Sequence, residues 1–260
     1  MLGFLRLYAH GIRLAFLTRL ADRFDFIASL LVMLGIELTP TLITVLLYGQ
    51  GLSFADWTLA QVILVQGVFL VGKGITFPIF AGMAWAVSEK VREGTFELLL
   101  LKPRHPLILC LVTAYDAEDL GKLAGGLVLM FFALGQTGLP ALPDIALFLP
   151  LFFFGLVFFA AGLMLLTALL MIWVGNFRLY EIFDTVTALG QYPPVIWPKR
   201  IRQLALAPFP ILGLAVLPAS ALLHKPVSGW PWAACSAVVL FFACLWVWNG
   251  TVKRLKTAGG

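Results

Sequence analysis

The chain has 260 residues, of which 61% are hydrophobic and only 12% are charged, and its formal net charge is +5. Soluble domains usually carry about 25% charged residues, whereas several apolar runs here reach the roughly 20 residues that a helix needs to span a bilayer. The composition therefore leaves little chain for a soluble domain and predicts an all-α polytopic membrane protein, in which the excess positive charge sets the orientation rather than binding nucleic acid.

Residues 1–25 are predicted to form an amphipathic helix that lies in the membrane interface. Apolar residues recur there near helical spacing and alternate with arginines, and a basic amphipathic helix ahead of a first span typically lies at the interface. The alternative, a solvated basic tail, stays open. The residues concerned are Leu2, Leu5, Ile12, Phe16 and Leu20 on the apolar side and Arg6, Arg13 and Arg19 on the basic side.

Six transmembrane helices are predicted within residues 26–249. Prolines interrupt the fifth of them, at Pro208, Pro210 and Pro218. The polar connections that remain are a loop over 88–107, a second loop over 176–203 and a tail over 250–260. The six predicted spans cover residues 26–48, 58–87, 119–138, 145–174, 204–223 and 230–249.

The basic residues indicate which side of the membrane each connection occupies. Fifteen Lys or Arg residues fall in the N-terminal segment, in the two loops over 88–107 and 176–203 and in the C-terminal tail, whereas only Lys225 falls on the opposite side. Because cytoplasmic loops carry an excess of Lys and Arg, we expect both termini and both loops to be cytoplasmic.

The stretch Glu89–Pro106 combines charges of both signs with an apolar run over 96–101. Such a cluster cannot lie in hydrocarbon, so the chain leaves the membrane here. Water alone does not favour the apolar run, and we therefore expect this loop to contact another protein. Its charged residues are Glu89, Lys90, Arg92, Glu93, Glu97, Lys102 and Arg104.

Two charged residues fall in the middle of predicted spans, Glu37 in the first and Lys73 in the second. A lysine at mid-membrane costs about 3 kcal/mol on insertion scales and usually has a partner or a polar cavity. The two residues lie at similar depth on successive helices, so we expect them to pair. Two interpretations stay open: an ion pair that holds two helices together, or a polar lining of a transport pathway.

The sequence Gly67–Gly74, GVFLVGKG, nearly matches the phosphate-binding pattern GxxxxGK[ST]. Gly74 replaces the Ser or Thr whose hydroxyl would hold magnesium, and the segment lies inside a predicted span rather than between a strand and a helix. The chain therefore shows no nucleotide site of its own. No nucleophile–base arrangement, zinc-binding HExxH pattern or other metal site is visible either, so we do not expect an enzyme.

Two smaller features lie at the start of the third span. The acidic residues Asp116, Glu118 and Asp119 are predicted to cap this helix and to interact with its dipole, rather than to bind a metal or relay protons. The pair Gly121 and Gly125, at GxxxG spacing, permits close approach of another helix.

Taken together, six spans, an amphipathic N-terminal helix and the charged loop between spans two and three resemble an ABC-2-type permease, the membrane subunit of a bacterial ATP-binding-cassette transporter. The likeness is carried by the stretch REGTFELLLLKPRHPL, with Glu97 where the family pattern leads us to expect Asp. The segment Tyr192–Pro193 and the later Pro208 and Pro210 add to it. The matching positions in the loop are Arg92, Gly94, Leu99, Leu100, Lys102 and Pro103.

This resemblance implies a multi-pass protein of the bacterial plasma (inner) membrane that pairs with a copy of itself or with a similar permease. A separate ATPase subunit would bind ATP and magnesium, and this chain would bind no cofactor. Export is the implied direction. The alternatives are an ion-gradient-driven secondary transporter and a non-transporting membrane protein.

On the same resemblance, the ATPase subunit would dock on the cytoplasmic loop after span two. Phe96, Leu98, Leu99 and Leu100 would fill a groove on that subunit. The polar rim of the interface would consist of Glu93, Glu97, Lys102 and Arg104.

Overall fold

A computed structural model describes residues 2–174, 176 and 178–258. The side chains of Leu2, Leu5, Arg6 and Lys256, and residues 259 and 260 of the tail, lie outside the described part. Within it, the chain is helical and has no strand. The helices are α1 (Leu2–Ala21), α2 (Arg23–Gly49), α3 (Leu59–Arg92), α4 (Glu97–Leu100), α5 (Pro106–Thr113), α6 (Leu120–Thr137), α7 (Leu142–Ile172), α8 (Arg178–Ala188), α9 (Lys199–Leu204), α10 (Val216–Leu222) and α11 (Trp230–Ala258).

Five of these helices, α2, α3, α6, α7 and α11, are long and apolar enough to cross a membrane. They correspond to five of the six predicted spans. The longest, α3, has 34 residues and therefore measures about 50 Å. It begins with a capping box, in which the Gln61 amide donates to Thr58 Oγ1 at 3.4 Å and the Thr58 amide donates to Gln61 Oε1 at 3.2 Å.

The centre of the molecule is α3, which packs closely against α6 and α7. Glycines make the α3–α6 contact possible: a Cβ on Gly74 would lie 2.3 Å from the Leu123 backbone nitrogen, and one on Gly126 would lie 2.5 Å from that of Val71. The near-match to a phosphate loop is therefore part of a buried helix contact. On the other side of α6, Gly121 and Gly125 pack against α2, so the GxxxG pair serves packing within the chain.

The predicted fifth span over 204–223 does not form one long helix. This region instead holds a 3₁₀ turn at Ile211–Gly213 and the seven-residue α10. Pro208 and Pro210 explain the break, because proline has no amide hydrogen to donate and disfavours a helical residue before it.

The polypeptide between α7 and α10 passes from one end of the helix bundle to the other. Near the start of α8, the centroid of the Tyr180 ring lies 5.3 Å from the centroid of the Trp85 ring, which is close to the end of α3. After α8, the Tyr192 ring lies 6.5 Å from that of Phe54, in the loop that precedes α3. We call these the Arg92 end and the Trp57 end, after residues at the two ends of α3. The prediction that 176–203 forms a loop on one side is therefore wrong.

This path changes the charge count at the two ends. Lys199, Arg200 and Arg202 follow Tyr192 and precede Leu206, which packs beside Gly229 just before α11 begins. These three cations therefore belong to the Trp57 end. Moving them leaves twelve basic residues at the predicted cytoplasmic end and four at the other, so the bias still favours a cytoplasmic Arg92 end.

Helix α1 is held against the Arg92 end. The Gly11 backbone faces the Val112 carbonyl of α5, and Arg19 Nη1 lies 2.7 Å from Glu118 Oε1. A hydrogen bond from the Asp116 amide to the Pro78 carbonyl, at 2.8 Å, ties the same linker to α3. Interfacial placement of α1 stays a prediction, and its exposed Leu14 and Leu17 agree with contact to lipid.

Candidate functional site

A group of five charged residues lies inside the helix bundle, and we call it the charge cluster. At its centre, Lys73 Nζ lies 2.6 Å from Glu37 Oε1 and 2.8 Å from Asp184 Oδ1. The structure thus brings together the two residues that the sequence analysis paired and adds a third from α8. The members are Glu37, Lys73, Asp119, Lys122 and Asp184.

The second lysine of the cluster, Lys122, joins the α6 side. Its ammonium group contacts the Asp119 carboxylate one turn earlier and lies 3.6 Å from Glu37 Oε1. Asp119 is the N-cap residue of α6 but makes no side-chain cap hydrogen bond, so the prediction that it caps this helix is wrong. Instead, its carboxylate neutralises a buried lysine.

Both lysines lie beside the same aromatic ring. Lys73 Nζ lies 4.9 Å and Lys122 Nζ 4.7 Å from the centroid of the Phe77 ring, within the range of cation–π attraction. The side chain of Lys73 is only 3% exposed. Burial of charges at this level is tolerated when each is paired and further stabilised, and the carboxylates and the ring meet that requirement.

The arrangement favours a structural role for most of the cluster. Its members come from α2, α3, α6 and α8, so the ion pairs tie four helices together. Both lysine side chains are almost fully buried, at 3% and 5% exposure. Asp184 differs, because its side chain is 39% exposed, and it places one carboxylate of the cluster at the bundle surface. With all groups ionised, three carboxylates face two ammonium groups.

Sequence reasoning missed Asp184 because charges and prolines around α8 resembled a loop. A signal was present: Leu179, Ile182, Phe183 and Val186 recur at the i, i+3, i+4, i+7 spacing of an amphipathic helix.

The second candidate site is the connection between α3 and α5. Gly94 adopts a positive φ of 70°, which glycine tolerates without a Cβ clash, and the chain turns there into the short α4. The amides of Thr95 and Phe96 both donate to the Lys90 carbonyl, at 2.9 and 3.1 Å. This turn fixes α4 directly to the end of α3.

Helix α4 presents two opposite faces. Phe96 is only 3% exposed and Leu99 is also buried, whereas Leu98 and Leu101 are 61% and 81% exposed. Phe96 and Leu99 belong to the protein's own core and cannot also fill a groove on a partner, so their predicted role in docking is wrong. Leu100, another predicted groove residue, is only partly buried and packs against the same core.

The exposed residues around α4 form what we call the α4 surface. In the described part of the chain, no ion pair involves its four charged side chains. The sequence analysis did not include Leu101 among the docking residues. Leu98 and Leu101 are three positions apart and therefore lie on the same face of a short helix, and this spacing could have identified Leu101. The α4 surface consists of Glu93, Glu97, Leu98, Leu101, Lys102 and Arg104.

The buried face of α4 connects this surface to the bundle. Phe96 and Leu99 share one apolar cluster with Val87 of α3 and with Trp248 and Val252 of α11. This shared packing puts α4 in direct contact with two of the long apolar helices, and close-packed interiors transmit strain.

Comparison with known proteins agrees with this architecture. The family model described as "ABC-2 family transporter protein" matches residues 31–259. Searches of curated proteins and of solved structures gave no match. The matched range covers most of α2, the other four long apolar helices, the charge cluster and the α4 surface. The chain therefore belongs to the ABC-2 family of transporter membrane proteins.

Proposed function

We propose that this chain is the permease subunit of an ATP-binding-cassette exporter and that a separate ATPase subunit docks on the α4 surface. The observation that carries the proposal is the exposure of Leu98 and Leu101 beside four charged side chains without ion-pair partners in the described chain. An apolar centre with a polar rim is the usual composition of a protein interface. The charges would set partner choice and the rate of encounter.

The proposed coupling follows from the two faces of α4. ATP-driven movement of the docked subunit would push on Leu98 and Leu101, and Phe96 and Leu99 would pass that movement to α3 and α11. ATP and magnesium would bind the ATPase subunit, since the near-match to a phosphate loop in this chain lies within a continuous buried helix.

The proposal includes a second permease, either a copy of this chain or a similar one. Helix α2 offers a surface for this contact, because the helix is long and apolar and most of it is not covered by the rest of the chain, with Ile36 and Leu42 among its exposed side chains. The parts of α2 that a second permease did not cover would face lipid. The proposed setting is the bacterial plasma membrane, with the Arg92 end and both termini in the cytoplasm. Export is the direction that we propose for the pair.

The experiment is affinity purification of the tagged chain from its native membranes, followed by identification of co-purified subunits and measurement of ATP hydrolysis. We expect an ATPase subunit with the wild type and its loss with Glu97→Lys or Leu98→Asp. Leu139→Asp is the matched control, since Leu139 is another highly exposed leucine, in the short connection between α6 and α7 and away from the α4 surface. Membrane insertion of all variants is checked by protease accessibility.

Two outcomes contradict the proposal. Normal co-purification of the ATPase with both α4 variants would remove the α4 surface from the interface. Transport by reconstituted protein that depends on an ion gradient and not on ATP would favour a secondary transporter instead.

A further inference from the structure

An apolar groove of about 510 Å³ lies between α7, α8, α9 and α11. Leu166 of α7, Val186 of α8, Ile201 of α9 and Leu240 of α11 are among its lining residues. The lining is almost entirely apolar, and the Thr187 hydroxyl within it already donates to the Phe183 carbonyl at 2.9 Å. The groove therefore fits an apolar chain and does not require a polar ligand inside it.

Three cations lie at one end of this groove. Ile201 and Leu204 place one face of α9 against the groove, while Lys199 and Arg200 of the same helix are exposed and Arg202 is partly exposed. In the described part of the chain, none of the three forms an ion pair. The sequence after Asp184 contains no Asp or Glu, so nearby sequence offers no compensating charge.

The groove and the cations are arranged along the helix bundle. Helix α9 belongs to the Trp57 end, whereas Leu169 and Leu179, at the far part of the groove, lie towards the Arg92 end. In a membrane-spanning bundle, this places positive charge at the headgroup level and an apolar groove at the depth of the acyl chains.

We propose that this groove binds an anionic phospholipid, with an acyl chain between α8 and α11 and the phosphate at Lys199, Arg200 and Arg202. Lipid tails are as apolar as leucine, so the groove by itself does not select one lipid over another. Selectivity comes from the cations, each of which contributes about 1 kcal/mol to attraction of an anionic headgroup. The proposal depends only on the membrane setting and not on docking of an ATPase.

The test is native mass spectrometry of the full chain in detergent with added dioleoyl phosphatidylglycerol or dioleoyl phosphatidylcholine. We expect preferential retention of phosphatidylglycerol. Lys199→Gln, Arg200→Gln and Arg202→Gln should each reduce that preference roughly fivefold, and the triple variant about 100-fold. The matched charge control is the triple variant Arg13→Gln, Arg23→Gln and Arg92→Gln, three exposed arginines at the opposite end that belong to no proposed binding surface, and it should retain the preference.

A second arm tests the groove. Val186→Trp should fill it and reduce retention of both lipids, while Val186→Ala should not. Glycerophosphoglycerol, the headgroup without acyl chains, should not compete. If a charge variant fails to fold, the wild type still provides the test, because raising the salt from 0.05 to 0.5 M shortens the screening length and should lower the preference.

Three results would overturn the proposal. The first is equal retention of the two lipids by the wild type. The second is an unchanged preference for phosphatidylglycerol in the correctly folded α9 triple variant. The third is efficient cross-linking between two copies of Ile182→Cys, because it would mean that a second copy covers the groove.

Discussion

The charge cluster and the α4 surface use the same residue types in opposite ways. In the cluster, each charged group has a partner of opposite sign, and both lysines are almost fully buried. On the α4 surface, Glu93, Glu97, Lys102 and Arg104 form no ion pair within the described chain. Charges that are buried and paired hold helices in place, whereas exposed charges without such partners are available to another molecule. The predictions below test this distinction.

The largest effect is expected for Lys73→Met. This change leaves the carboxylates of Glu37 and Asp184 without their main partner, and breaking a buried ion pair from one side typically costs about 3–5 kcal/mol. The measurement is thermal unfolding in detergent together with a transport assay. Unchanged transport with a lower free energy of unfolding supports the structural interpretation of the cluster.

A triple variant controls for this result. Glu37→Gln and Asp184→Asn added to Lys73→Met remove the unpaired charges, so a large part of the lost stability should return. If the triple variant is no more stable than Lys73→Met, the loss came from packing around Phe77 and not from charge.

The two faces of α4 provide the next contrast. Phe96→Ala removes a buried ring and should lower the free energy of unfolding by about 3–5 kcal/mol. Leu98→Ala, on the exposed face, should stay within about 0.5 kcal/mol of the wild type and yet weaken co-purification of the ATPase. Equal stability losses in the two variants would contradict the two-faced arrangement.

A smaller effect is expected where α3 meets α6. Gly74→Ala forces a Cβ against the Leu123 backbone and should cost about 1–3 kcal/mol. Gly135→Ala is the matched control within α6, since apart from its own stretch of helix no atom lies within 4 Å of its added Cβ. The control should be neutral or gain about 0.5–1 kcal/mol. Equal unfolding temperatures for the two variants would exclude a tight α3–α6 contact.

The smallest effect concerns Glu118, in the linker before α6. Burial raises the pKa of this carboxyl, although Arg19 acts in the opposite direction. A raised pKa means that ionised Glu118 disfavours the folded state above that pKa, and that the penalty disappears as the pH falls through the ordinary value of 4.5. Glu118→Gln should therefore slightly raise the unfolding temperature at pH 7–8 and not at pH 4. A lower unfolding temperature at pH 7–8 would mean that the Arg19 ion pair outweighs burial.

Five of the six predicted spans match long apolar helices, because each contains a continuous apolar run long enough to cross a bilayer. The sequence also placed Glu37 and Lys73 at one depth, since residue counting along successive helices is sufficient for that. It failed for α8, where Arg178 and Glu181 gave a short helix the composition of a loop. The path of α8 from one end of the bundle to the other depends on its packing against α3 and α7. The local sequence pattern of α8 does not predict that packing.

The same limit explains the error at α4. Phe96, Leu98, Leu99 and Leu101 are chemically alike, and sequence alone suggested one apolar contact surface. Which of them face inward depends on where α11 passes, and Trp248 lies more than 140 positions further along the chain.

The length and continuity of α3 have a mechanical consequence. Lys73 lies near its middle and is anchored to α2 and α8, while the turn into α4 lies at its far end. If α3 pivots about Lys73 by roughly 5°, its two ends move by roughly 2 Å in opposite directions, given 1.5 Å of rise per residue. A push at one face of the membrane would then appear at the opposite face as a reversed displacement. In such a lever, the ion pairs would serve as the fulcrum, and their strength would set how far a given push is transmitted.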